Sequence, residues 1–314
     1  MANDLPLWLG FNAVVVVMLV LDLGVFHRHS HEVSLKEAGI WSAVWITLSL
    51  IFGAIVYSVR VAESGLQFYS GYLIEKALSV DNIFVFVMLF TFFKVPGEYQ
   101  HRVLFWGILG ALVMRAVMII VGAALIERFT WIMYLFGFFL VFTGIRMATH
   151  QETEHDPSKS AVVRLARRFL PMTDHYAGQA FFVRQTGRLL ATPLLLVLLV
   201  VETTDLLFAT DSIPAVFAVS TDVFIVYTSN VFAILGLRAL YFLVAGLMKR
   251  LRHLQYGLSA ILVFVGAKML LREIYEISTV LSLTVIIGVL TVVVLTSVFS
   301  DHRNARLAQE KPEP

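Results

Sequence analysis

Cysteine is absent from all 314 residues, so the chain can form no disulfide, no CxxC redox pair, no thiolate zinc site and no cysteine-bound iron–sulfur cluster. Any metal chemistry must rest on oxygen or imidazole ligands. Charge is scarce as well: Asp, Glu, Lys and Arg make up 15% of the residues, against roughly a quarter in soluble domains. The formal net charge of +2 supplies no basic surface for nucleic acid. What is abundant is apolar, with 59% hydrophobic residues and a mean hydropathy of +0.82. Such a composition excludes disorder and predicts an all-α polytopic membrane protein, with the bilayer as its main partner. HExxH and GxSxG patterns are missing too, so neither an enzyme nor a permanently bound cofactor is expected.

Apolar stretches of about 18 residues or more, the length that crosses the hydrocarbon core, occur nine times. They cover 7–26, 40–59, 68–93, 103–125, 131–149, 191–220, 223–247, 254–271 and 277–299. The first lacks the basic n-region and the small-x-small cleavage site of a signal peptide and is read as a span. With the N-terminus outside, 17 Lys and Arg fall on inner loops and 4 on the outer side, while Lys76, Arg115 and Arg238 are embedded. That asymmetry predicts a cytoplasmic C-terminus. All nine histidines fall on the inner side and none within a span, which excludes a haem held by two histidines across the bilayer. His27, His29 and His31 alternate as metal ligands could, a spacing that a short polar loop also acquires easily.

An internal repeat organises the spans. Glu75 to Asp81 aligns with Asp205 to Asp211 at an offset of 130, continuing as Asp81, Asn82, Ile83 against Asp211, Ser212, Ile213. Downstream, Ile108, Leu109, Gly110 with Arg115 corresponds to Ile234, Leu235, Gly236 with Arg238. Tyr134 then pairs with Tyr256, and Gly144, Arg146, Met147 with Gly266, Lys268, Met269. Each unit holds three spans. An odd number forces the second unit to enter from the opposite side, the inverted repeat of secondary transporters. The expected division is therefore 1–67 as two peripheral helices, 68–149 as the first unit, 150–190 as a cytoplasmic connection, 191–272 as the second unit and 273–314 as a last helix with a cytoplasmic tail.

Six acidic residues lie within spans: Asp22, Glu75, Asp81, Glu202, Asp205 and Asp211. Each costs several kcal/mol when charged and unpaired in hydrocarbon, so they should face the bundle interior. Three embedded cations cannot neutralise six anions, and a divalent ion together with protons would restore the balance. In a regular helix Glu75, Ser79 and Asn82 share a face, whereas Asp81 lies about 120° away. Local unwinding near Pro214 is expected to bring both aspartates inward. The candidate metal ligands are Glu75, Asp81, Asn82, Glu202, Asp205, Asp211 and Ser212, a hard oxygen set suited to Mg²⁺, Mn²⁺ or Ca²⁺. Arg115 and Arg238 could instead pair with Glu75 or Asp205 and fix the bundle, Lys76 could serve Glu75 as a counter-ion, and Asp22 could simply be hydrated.

At GYLIEKALSVDNIFVF (71–86) and VETTDLLFATDSIPAVFAV (201–219) the sequence resembles the TerC family of bacterial integral membrane proteins, over nearly its whole length. The resemblance implies a LysE-like fold of two inverted three-helix units in the bacterial cytoplasmic membrane. It also implies manganese export, with the family's acidic motifs falling on Glu75, Asp81 and Asn82 and on Glu202, Asp205, Asp211 and Ser212. Mn²⁺ comes from the resemblance; the residues alone give a hard divalent ion exchanged for protons. A second reading is a non-transporting scaffold that assists maturation or metallation of other proteins. A third, an exporter of amino acids or other small solutes, finds little for a carboxylate beyond Arg115 and Arg238.

Overall fold

In hydrocarbon a backbone N–H or C=O has no water to bond, so long apolar runs must satisfy their polar groups internally as helices. The computed structural model describes residues 5–26, 34–149, 161–185, 187–247, 254–275 and 277–309. Its helices are α1 (Leu5–Phe26), α2 (Leu35–Val59), α3 (Ala62–Phe92), α4 (Gly97–Arg128), α5 (Ile132–Thr149), α6 (Ala161–Phe169), α7 (Pro193–Phe217), α8 (Val223–Leu235), α9 (Leu237–Leu247), α10 (Leu254–Leu271) and α11 (Thr279–Gln309). Local signals set several ends. Ser34 Oγ accepts from Glu37 N–H at the start of α2, Pro193 opens α7, and Asp222 caps α8 by accepting from the N–H of Phe224 and Ile225.

Among the described residues four helices are long and apolar enough to cross a membrane, namely α2, α4, α5 and α7. The α8–α9 pair, bent by 45° at Gly236, makes a fifth if taken as one broken span. Shorter apolar helices lie within α1, α10 and α11. The 31-residue α3 is as long but carries Glu63, Glu75, Lys76 and Asp81. Large apolar side chains point outward over much of the surface, among them Val14, Val16 and Val17 on α1, Val113, Val117 and Ile120 on α4, and Leu135, Phe138 and Phe142 on α5. A soluble protein does not expose apolar area on this scale. The protein is a polytopic membrane protein, built chiefly of helices.

Inside, α3 lies beside α8 and α4 beside α7. Gly107 meets Val201 and Gly122 meets Phe217, so α4 and α7 run in the same direction. Among the described residues, α5 and α10 pack backbone against backbone. A Cβ at Gly266 would lie 2.7 Å from the carbonyl oxygen of Gly137, and one at Gly144 would lie 3.0 Å from that of Ser259. Ser259 Oγ donates to the Gly144 carbonyl at 2.6 Å. Glycine is needed here because backbones in lipid gain attraction chiefly by approaching closely. Phe11, Phe52, Phe68, Phe224 and Phe232 interlock, fastening α1 and α2 onto α3 and α8.

Two expectations change. The helices bearing the acidic motifs do not unwind: α3 and α7 are continuous, and Pro214 sits in the last turn of α7, where its missing N–H forfeits one bond near an end that frays anyway. The break falls at Gly236 instead, inside the segment read as one span at 223–247. The connection at 150–190, for its part, is more than a boundary. Its described part contains α6 and a hairpin of β1 (Phe182–Gln185) and β2 (Arg188–Ala191), paired antiparallel. Val163 and Ala166 of α6 join one core with Val103, Leu104, Leu194 and Val197. Tyr176 donates to the Phe93 carbonyl at 2.8 Å, and burial pushes its phenol up, keeping it protonated as a donor.

Candidate functional site

Charged side chains placed mid-helix in an apolar bundle must turn toward one another, and at the junction of α3, α4, α7 and α8 they do. Arg115 of α4 stands between two carboxylates. Its Nη1 donates to Glu75 Oε1 on α3, while Nη2 and Nε donate to Asp205 Oδ1 and Oδ2 on α7 at 2.9 and 3.2 Å. This is the two-pronged fork that a planar guanidinium offers a carboxylate. Nη1 also lies 3.3 Å from Ser212 Oγ. On the other side of Glu75, Asn230 of α8 donates Nδ2 to Oε2 at 3.0 Å. Glu75, Arg115, Asp205, Ser212 and Asn230 are each at most 3% exposed. Four helices thus contribute one buried polar knot with two negative charges and one positive.

Glu202, one turn before Asp205 on α7, lies with its carboxylate against Gly110 of α4, where a Cβ would collide with it, and its Oε2 has no hydrogen-bond partner. Lys76 reaches across to α8. Its Nζ donates to the Ala233 carbonyl at 3.2 Å and packs on Gly236, so it serves a backbone oxygen of α8 at the helix break. Asp211 is part-buried and accepts from Thr143 Oγ1 of α5 at 3.3 Å, away from Arg115. Ser79 and Asn82 are buried on α3, and Ser79 Oγ has no partner.

The structure therefore gathers Glu75, Asp205 and Ser212, holds Glu202 one turn off, and carries Asp211 to a different neighbour. The Asp81 and Asp22 side chains, together with His27, His29 and His31, lie outside the described residues. Among the described residues no three His, Asp or Glu side chains converge as a ready metal cage. Asn230 is the member of the knot that the sequence did not announce. The signal available was weaker, an uncharged amide beside Thr228 and Ser229 in a mostly apolar helix.

Residues 60–305 match the model of the family described as "Integral membrane protein TerC family". The chain is 54% identical to "Uncharacterized membrane protein STKORF319" of Myxococcus xanthus, over 94% of this chain and 93% of that one. It is 49% identical to "Putative membrane-bound redox modulator Alx" of Escherichia coli K12, over 95% of this chain and 96% of that one. A protein of Salmonella typhi bearing the same printed name is likewise 49% identical over 95% of each chain. No solved structure matches. With the family model covering most of its length and Alx-like relatives matching nearly end to end, this chain belongs to the TerC family of integral membrane proteins.

Proposed function

We propose that the protein is a secondary transporter of the bacterial cytoplasmic membrane that exports a divalent cation, Mn²⁺ foremost, in exchange for protons. The observation that carries this reading is the placement of two buried carboxylates, Glu75 and Asp205, on helices that the sequence repeat makes equivalent, facing one point. In secondary transporters the substrate site lies at such a repeat interface near the midplane. Contacts between the units reciprocate as an inverted repeat requires: α3 with α8 mirrors α7 with α4, and Gly137 with Gly266 mirrors Ser259 with Gly144. The orientation proposed is N-terminus outside and C-terminus inside, over nine membrane segments with α8 and α9 forming one.

Manganese enters through the family resemblance; the ligands on the page are hard oxygens. Asp81, Asn82, Glu202 and Asp211 complete the proposed ligand path along α3 and α7. Redox work of the kind that the relatives' name describes would have to proceed without thiols, since the chain has none. The scaffold reading has one specific point in its favour, because Arg115 already neutralises part of the carboxylate charge as a structural pair does.

Purified protein in liposomes loaded with a Mn²⁺-quenched dye separates the two. A transporter quenches the dye when Mn²⁺ is added outside and responds to an imposed proton gradient. Quenching no faster than in protein-free liposomes would leave the scaffold. A proton competes with the metal for each carboxylate, so Mn²⁺ affinity should rise from pH 6 to 8 and binding should release protons. Equal affinity across that range, with no buffer dependence of the binding heat, would remove the coupling.

A further inference from the structure

We infer that Arg115 is a tethered stand-in for the substrate: its guanidinium occupies the place of the transported divalent cation, which binds only by displacing it. This rests on the cation-transport reading above and adds to it how the site is emptied.

The geometry comes first. Glu75 Oε1, Asp205 Oδ1, Asp205 Oδ2 and Ser212 Oγ all face a single planar group, so they surround one small volume. These are three carboxylate oxygens and a hydroxyl, drawn from two helices, and oxygens of these classes are what a hard divalent ion takes. A second and independent feature is a pair of buried oxygens left without partners. Asn230 is tied to Glu75 through Nδ2 while its Oδ1 has no partner, and Ser79, one turn along α3 from Glu75, has an unpartnered hydroxyl. Both residues are 1% exposed. Buried polar atoms are nearly always satisfied, and the amide oxygen of a residue bonded to Glu75 and a hydroxyl one turn along its helix are oxygens of the hard type. Arg115, with donors only, reaches the carboxylates and Ser212 and leaves these two oxygens unbonded.

Charge decides what happens to the guanidinium. Glu75, Asp205 and Arg115 together carry −1. Adding a divalent ion with Arg115 in place makes the knot +1 and sets two cations side by side in a buried, low-dielectric space. Withdrawing Arg115 leaves two carboxylates around M²⁺, which is neutral. Displacement also has a destination. Glu202 Oε2 is without a partner one turn from Asp205, and its carboxylate rests on Gly110 of Arg115's own helix. The guanidinium can exchange Asp205 for Glu202 and return when the ion leaves, which speeds release by refilling the carboxylates.

The test uses the full-length protein in lipid nanodiscs, with Mn²⁺ alone titrated calorimetrically, alongside efflux in liposomes. Arg115→Gln should bind Mn²⁺ at least tenfold more tightly than wild type and export it at least tenfold more slowly, because nothing refills the site. Arg115→Lys, a point charge without the fork, should fall between them. An Arg115→Gln affinity equal to or weaker than wild type, with Asp205→Asn losing binding, makes Arg115 a fixed structural cation. That overturns the inference and leaves the transport reading standing. No Mn²⁺ binding by any of the proteins overturns both. Should Arg115→Gln not fold without metal, thermal unfolding of Arg115→Lys, followed by the five native tryptophans, replaces the calorimetry. Half-maximal stabilisation at a Mn²⁺ concentration at least threefold below that of wild type supports displacement; an equal or higher concentration overturns it.

Discussion

At the scale of single residues, Asp205 and Asp211 lie six apart on one helix yet have different surroundings, which lets stability and transport be separated. Asp205 is locked to Arg115 by two donors in a buried setting. Its replacement by Asn leaves the guanidinium paired with Glu75 alone and weakens two charge-assisted hydrogen bonds, at a cost of about 1.5–3 kcal/mol. Asp205→Asn should therefore lower the thermal midpoint in nanodiscs clearly and stop Mn²⁺ efflux. Asp211 accepts only one hydrogen bond among those described, from Thr143, so Asp211→Ala should cost on the order of 1 kcal/mol while still abolishing efflux. Normal efflux by Asp211→Ala would remove it from the ligand path. Glu75, Asp205 and Arg115 were legible in the sequence because a charge in an apolar span is conspicuous, and Ser212 because the repeat aligned it with Asn82. Asn230 was not, since an uncharged amide carries no such flag and has no counterpart in the repeat alignment. The placement of Asp211 depended on whether α7 stays regular; it does, and 600° of helical rotation leaves Asp211 about 120° from the Asp205 face.

At the scale of helices, the α5–α10 contact is the least forgiving. A side chain at Gly266 meets the backbone of α5, at Gly137 O and Val141 N, and backbone cannot rotate out of the way. Gly266→Ala should then push the helices apart at a cost of about 1–3 kcal/mol, read as a lower thermal midpoint with reduced efflux. A midpoint unchanged within error would mean that the pair is looser than described. Hydropathy located α2, α4, α5 and α7, the helices long and apolar enough to cross, because burial in lipid depends on composition over a whole span. It missed the bend at Gly236, where one residue changes direction without changing the apolar character of its flanks. It also missed the hairpin and α6, which are short; α6 is held by packing of Val163 and Ala166 against distant residues such as Val103 and Leu194.

At the scale of the whole molecule, the basic asymmetry makes a claim about sides. Thr221, exposed in the α7–α8 turn, should react from outside when replaced by Cys, and Arg168→Cys in α6 should react only from inside. The native chain has no cysteine to confuse the labelling. Outside labelling at position 168 would overturn the nine-segment orientation. Asp222 at the same turn is tied to Arg60 at 2.5 Å, and Arg60 also lies over the Phe224 ring, so position 221 sits on a fixed corner.

The partition of the buried knot along the chain bears on how the protein is made. Glu75 and Arg115 both belong to the first half, forty residues apart, and pair with each other. While the ribosome is still adding the second half, these two charges can already meet as a neutral pair and enter lipid together, whereas either one alone would resist leaving the translocon. Asp205 arrives about ninety residues after Arg115 and finds a cation waiting on α4. The arginine thus lets a chain with surplus acid be threaded into the bilayer from its N-terminus, each carboxylate of the knot meeting a partner made before or soon after it.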